Sequence, residues 1–250
     1  MKRPLRRPFS FAKFLLIDNT DVLLFTCQMT MRTRLLLQVP AVLLILAFVP
    51  TNLGKLAALL LVWALTFGRL SKVETIFYVC VCLFFTAMNA ASLKQGIFTF
   101  AHPDILLQPV WELFMWGFYL LHTRRLLNGP APGGRRATVW ALALAYSAAF
   151  ATIHDSNTLL LVTGALLLVG LALFHEPLDL AYAGYMVLLG ALIEYTGVYR
   201  GQWGYPGNPP GGVPLWFITM WGGIGLFLRR LIVPILVRHE TGRQVPAEAL

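Results

Sequence analysis

The sequence reads as an all-α polytopic membrane protein, a bundle of about eight transmembrane helices with both termini cytoplasmic. Three observations predict this. Of the 250 residues, 58% are hydrophobic and only 12% are charged, where an ordinary soluble domain carries about 25% charged residues. The apolar residues fall in runs long enough to cross a hydrocarbon core of about 30 Å, with no polar helix face between them. The basic residues, finally, are sorted by position. With a cytoplasmic N-terminus and eight spans, seventeen of the twenty Lys and Arg fall on the cytoplasmic side, and only Lys55, Lys94 and Arg200 fall outside.

Residues 1–34 form a basic N-terminal segment. Arg6 and Arg7 suggest a secretory signal, but Asp18, Asn19 and Asp21 break the apolar stretch that follows. Residues 10–30 are therefore expected to lie along the interface, with the arginines on anionic lipid. The bundle occupies 35–237, with spans at about 35–53, 56–68, 73–93, 105–123, 138–153, 158–174, 180–199 and 213–235, and 238–250 form a short cytoplasmic tail. Turns are expected at Pro50–Gly54, at the Gly/Pro run Gly129–Gly134, and at His154–Asn157. The formal charge of +9 follows the positive-inside rule, so no nucleic-acid partner is expected; the partner is membrane lipid. The orientation suits a bacterial inner (plasma) membrane.

Ionisable residues at membrane depth are costly, so each needs a partner or a role. In the fourth span Asp104, Gln108, Glu112, Met115, Tyr119 and His122 fall within about 80° at 100° per residue, one polar stripe along the whole span. Pro109 beside it is placed to kink the helix, and His122 is expected at headgroup level. The third span echoes it with Glu74, Tyr78, Cys82, Asn89 and Ser92. The two stripes either satisfy each other across an interface or line a polar path. In the seventh span Glu194 shares a side with Ala183, Val187, Gly190 and Gly197, and small residues mark the close-packed side of a membrane helix. Glu194 is thus expected to face the bundle, either as a neutral acid or as the ion-pair partner of Arg200. The Gly/Pro/aromatic loop after it carries Trp203 and Tyr205, with Trp216 beyond. These rings form either an aromatic belt or a cap over a pocket beside Glu194.

Cys27, Cys80 and Cys82 form no framework and read as apolar fillers. His175-Glu176-Pro177-Leu178-Asp179 has metal-ligand spacing, yet Pro177 makes it a turn, so no metal is expected. With no P-loop or dinucleotide fingerprint, no cofactor is expected either.

From Glu194 the chain reads E-x-x-G-x-x-x-G-x-W-x-Y, then G-V-P-L-W and a further Trp at 221. This stretch resembles that of the polytopic carotenoid-biosynthesis membrane proteins, the bacterioruberin-type carotenoid hydratases, and is more loosely similar to the small membrane lycopene cyclases. The matching positions are Glu194, Gly197, Gly201, Trp203, Tyr205, Gly212, Val213, Pro214 and Trp221. The cyclases follow their Gly-x-Pro with paired acids; Leu215 and Trp216 stand there instead. The resemblance implies protonation of an isolated C=C bond of a long apolar isoprenoid, with water or an internal alkene capturing the cation. Glu194 or Glu112 would supply the acid, and Trp111, Trp116, Trp203 and Tyr205 the cation-stabilising faces. Asn89, Gln108, Tyr119, Trp216 and Arg200 complete the candidate substrate contacts. A proton-coupled or small-molecule transporter and a non-catalytic membrane subunit are the alternatives.

Overall fold

A computed structural model describes residues 30–207 and 209–241. All of the expected interfacial stretch 10–30 except Thr30, together with Cys27 and most of the tail, lies outside the described residues. The chain is helical almost throughout: α1 Met31–Phe48, α2 Asn52–Phe67, α3 Lys72–Lys94, α4 Glu112–Leu126, α5 Arg136–Thr152, α6 Ser156–Phe174, α7 Pro177–Tyr199 and α8 Trp216–Phe227. A π-helical turn, Leu228–Ile232, carries α8 into α9, Val233–Thr241. Two short strands, β1 Thr99–Phe100 and β2 Trp203–Gly204, pair antiparallel.

Local chemistry sets the helix boundaries. Thr51, Ser71 and Asp155 each cap the following helix by accepting from the amide three residues on, at 3.1, 3.2 and 2.8 Å. Ser71 and Glu74 form a capping box, as do Glu176 and Asp179 ahead of Pro177. Of the three expected turns only Gly129–Gly134 lies wholly between helices. Asn52–Gly54 of the first already belong to α2 and Ser156–Asn157 of the third to α6, because Thr51 and Asp155 cap those helices inside the expected turns. The first helix already begins at Met31, four residues before the expected span, because Thr30 caps it.

The fourth span requires a larger correction. Its helix begins at Glu112, seven residues later than the expected 105, so Asp104 and Gln108 are not on the helix and Pro109 kinks nothing. Ile105 and Gln108 instead exchange both backbone hydrogen bonds at 2.9 Å, closing a two-residue hairpin. Its central residues, Leu106 (φ 52°) and Leu107 (φ 64°), both lie in the left-handed region, the geometry of a type I′ turn. Leucine there costs roughly 1–2 kcal/mol per residue. The double change Leu106→Asn, Leu107→Gly is therefore expected to raise the melting temperature by several degrees, read by thermal unfolding in detergent.

Five segments are long and apolar enough to cross a membrane: α1, α3, α6, α7 and the stretch Pro210–His239, in which a 3₁₀ turn leads into α8 and the π turn carries it on into α9. Large apolar side chains point outward along the helices: Leu161 is 72% exposed, Phe48 68% and Leu83 67%. In water such a surface would drive aggregation; in hydrocarbon it is the lipid-facing belt. The interior is aromatic, with Trp63, Trp111 and Trp221 among its largest fully buried side chains.

Polar contacts gather at the two ends of the bundle. At one end Arg125 forks onto Glu74 (2.7 and 2.9 Å) and donates to the Phe67 carbonyl. Arg230 forks onto Asp179, donates to Gly133 (3.1 Å), and reaches Glu176, which also accepts from Arg229. Glu74, assigned above to a polar stripe, thus belongs to this ion-pair layer. At the opposite end Asn52 donates to the His102 carbonyl and to Asp104, and Arg200 donates to the Ala47 carbonyl. His175-Glu176-Pro177-Leu178-Asp179 is a helix start and ion-pair anchor, and no metal-binding cluster occurs among the described residues.

Candidate functional site

Glu194 sits in the next-to-last turn of α7, 7% exposed. Its flanking glycines explain why it is covered. A Cβ at Gly197 would overlap the Trp203 ring, and one at Gly190 would overlap Trp221. The small-residue side of α7 therefore receives two indoles. Both donate to the carboxyl: Trp203 Nε1 to Oε2 at 2.9 Å and Trp221 Nε1 to Oε1 at 3.3 Å. The Tyr205 hydroxyl adds a third bond to Oε2 at 2.8 Å. The donors come from β2, the loop after it, and α8, so one carboxyl ties three segments together.

The cover is a built lid. Trp203 pairs with Phe100 across the two-stranded sheet, and Ala101 N donates to the Gln202 carbonyl at 2.9 Å. Gln202 N returns to Gly197 O at 2.8 Å, and its side chain accepts from Lys55 Nζ at 2.7 Å. Asp104 fastens the other lid loop by accepting from Val110 N (2.9 Å) and Asn52 (2.8 Å). The aromatic loop covers Glu194, with Trp203 and Trp216 buried and Tyr205 half-buried.

Glu112, the first residue of α4, accepts from Asn89 Nδ2 at 3.1 Å. One turn on, Trp116 stacks on Trp221 (centroids 4.7 Å) and on Phe85 (4.1 Å). Tyr119 tilts against Trp221 at 5.7 Å. Stacked aromatic rings therefore line the space beside Glu112 and reach Glu194 through Trp221. Trp116 Nε1 lies beside the Glu112 carboxyl, and the Tyr119 hydroxyl is buried with no hydrogen-bond partner among the described residues.

No protein-family model, curated protein or solved structure matches the chain. Several residues of the 194–221 stretch meet in space. Glu194 binds Trp203, Tyr205 and Trp221, Gly197 seats Trp203, and Gly201 (φ 63°) and Gly212 (φ 78°) turn the backbone at either end of the loop. Val213 and Pro214 are buried where the chain enters α8.

The other candidates divide. Trp111 is buried, donates to Asn52 Oδ1 at 3.1 Å, and lies 6.3 Å from Trp203, within the lid. Trp216 packs edge-on to Tyr205 at 5.9 Å. Gln108 is fully buried and donates to the Thr86 carbonyl at 3.0 Å, fixing the lid loop to α3. Arg200 does not pair with Glu194. It caps α7, donates to Ala47 O at 2.7 Å, and lies over the Phe48 ring. No basic side chain among the described residues holds the Glu194 carboxyl. His122, expected at headgroup level, is 2% exposed and bonded to Gln38 (2.9 Å) and Tyr185 (2.5 Å). The crevice beside it, lined by Val42, Tyr119, Leu189 and Ile193 among others, has room for about one water.

Lys55 and Gln202 escaped the sequence reading. A signal existed for the lysine: it stands in the first turn of α2, where the helix dipole disfavours a cation, so its position demanded a partner.

Proposed function

We propose that the chain is a membrane-embedded enzyme that adds water across an isolated C=C bond of a long isoprenoid, carotenoid-like lipid. Glu194 donates the proton. The tertiary carbocation is stabilised by the faces of Trp116, Trp203, Trp221 and Tyr205. Water adds to it and returns a proton to a carboxylate, Glu194 or Glu112, so the net change is one water. The observation that carries the reading is a buried carboxyl surrounded by aromatic donors, with no cation among the described residues to hold it ionised.

The test is lipid analysis by mass spectrometry in a host that makes an acyclic polyene precursor. Cells with the protein are expected to contain an isoprenoid heavier by one water. Glu194→Gln is expected to lose at least about 100-fold of this product, the usual worth of a general acid, while its melting temperature stays near that of the parent. Identical isoprenoid profiles with and without the protein overturn the proposal.

One observation favours a second reading: three donors already satisfy Glu194. As a clamp in a non-catalytic subunit, the carboxyl would only fasten the lid. Glu194→Gln would then shift stability and leave every lipid profile unchanged.

We also infer that α1 to α8 with its continuation supply eight spans with both termini cytoplasmic, in a bacterial plasma membrane. The seventeen-to-three partition of basic residues supports this, as does the gathering of Arg125, Arg135, Arg229 and Arg230 at one end of the bundle. Single-cysteine labelling from either side tests it. Positions 70 and 131 are expected to react from the cytoplasm, and 154 and 207 from outside.

A further inference from the structure

An open groove of about 690 Å³ runs between the C-terminal ends of α1 and α7 and the 3₁₀ turn Pro210–Gly212. It lies apart from Glu194, on the lipid-facing side of α7. Its walls are Phe48, Tyr195, Val198 and Tyr199, and its floor ends on Arg200 and Gly211. No carboxylate lines it. Phe48 and Tyr199 are 68% and 88% exposed.

Arg200 is held, yet no carboxylate balances its charge. Its Nε donates to Ala47 O at 2.7 Å, and its guanidinium sits 5.3 Å from the centre of the Phe48 ring. Both contacts fix the plane of the fork, and neither engages Nη1 or Nη2. These two nitrogens have no partner among the described residues. The other basic residues assigned to this side differ. Lys55 is buried on Gln202 (2.7 Å), and Lys94 sits in the last turn of α3, where the helix dipole favours a cation. On the topology proposed above this guanidinium stands on the side that membrane proteins deplete of positive charge, and no carboxylate lines the groove to balance it. Its planar fork matches two oxygens of a phosphate. Aromatic rings at the headgroup level and an apolar wall below suit the glycerol and first acyl segments.

We propose that this groove binds an anionic phospholipid of the outer leaflet, its phosphodiester on Arg200 Nη1 and Nη2 and its acyl chain along Phe48, Tyr195 and Val198. The phosphate is shared chemistry between a lipid and a free anion; the apolar wall assigns it to the lipid.

The test is native mass spectrometry of the full chain in detergent, titrated with phosphatidylglycerol or with phosphatidylcholine of the same acyl chains. The intact protein is expected to retain one phosphatidylglycerol at least about fivefold more tightly than phosphatidylcholine, the worth of one basic residue at an anionic lipid surface. Arg200→Gln is expected to abolish that preference. Tyr199→Ala, an exposed truncation that leaves the fold intact, is expected to weaken both lipids. Millimolar inorganic phosphate is expected to displace neither. Equal retention of the two lipids by the parent, undiminished preference in Arg200→Gln, unchanged retention in Tyr199→Ala, or displacement by phosphate alone each overturns the proposal.

Discussion

Replacing Asp179 by alanine is expected to destabilise the protein by about 3–5 kcal/mol, the cost of leaving a buried charge without its partner. Asp179 is 0% exposed, and it takes both Nε and Nη2 of Arg230, itself 5% exposed. Glu176 reaches the same guanidinium at 3.0 Å but is shared with Arg229 at 3.2 Å. Removing Asp179 leaves one half-exposed carboxylate for two buried arginines. Asp179 also closes the capping box at the start of α7, so the helix that carries Glu194 loses its first turn as well. The measurement is thermal unfolding in detergent, with Asp179→Asn as control. The amide keeps one acceptor and the shape, so its loss is expected to be smaller. Equal stability of Asp179→Ala and the parent would remove the buried pair as a determinant of the fold.

Gly197→Ala is expected to produce the second large effect, and to localise it. The added Cβ would occupy the space of the Trp203 ring. An overpacked core site typically costs about 1–3 kcal/mol through displaced side chains and backbone. The ring cannot retreat without releasing Glu194 Oε2 and drawing β2 away from Phe100. The expected outcome is loss of the lid with the bundle intact. In hydrogen exchange the amides of Ala101 and Gln202, bonded across this junction, are expected to exchange at least tenfold faster, while those inside α3 and α6 hold their rates. Uniform acceleration throughout the molecule would mean that the lid and bundle unfold as one unit.

What the sequence discloses follows the range of the interactions. Helix positions are legible because apolar runs, caps and Pro/Gly turns are local; Thr51, Ser71 and Asp155 each act within three residues. The start of α4 is illegible for a specific reason. A two-residue turn is normally announced by Asn-Gly or Asp-Gly, and here it is made by Leu106-Leu107, which continue the apolar pattern and invite a helix. Within the site, Glu194 lies nine and eleven residues from Trp203 and Tyr205, so one stretch of sequence carries all three. Lys55 meets Gln202 across 147 residues, and His122 meets Gln38 across 84. No periodicity encodes such encounters. Arg200 shows the converse failure: six positions from Glu194 in sequence, it leaves the helix in the other direction and caps it.

The π-helical turn Leu228–Ile232 has a consequence for register. A π turn holds one residue more than an α turn, so everything beyond it is rotated by roughly 100° relative to an uninterrupted helix. Before the turn, the inward face of the rod presents Trp221 to Glu194 and lays Gly225 against the Tyr182 backbone. At the turn, the consecutive side chains of Arg229 and Arg230 are both buried, aimed at Glu176 and Asp179. Leu228 before them is buried as well, so the turn packs three consecutive positions inside the bundle. The extra residue acts as an indexing step, letting a single rod mesh with the carboxyl site at one end and the ion-pair layer at the other. Shortening the rod there by one residue would leave it helical and long enough to span, yet its two halves could no longer be in phase with the bundle together.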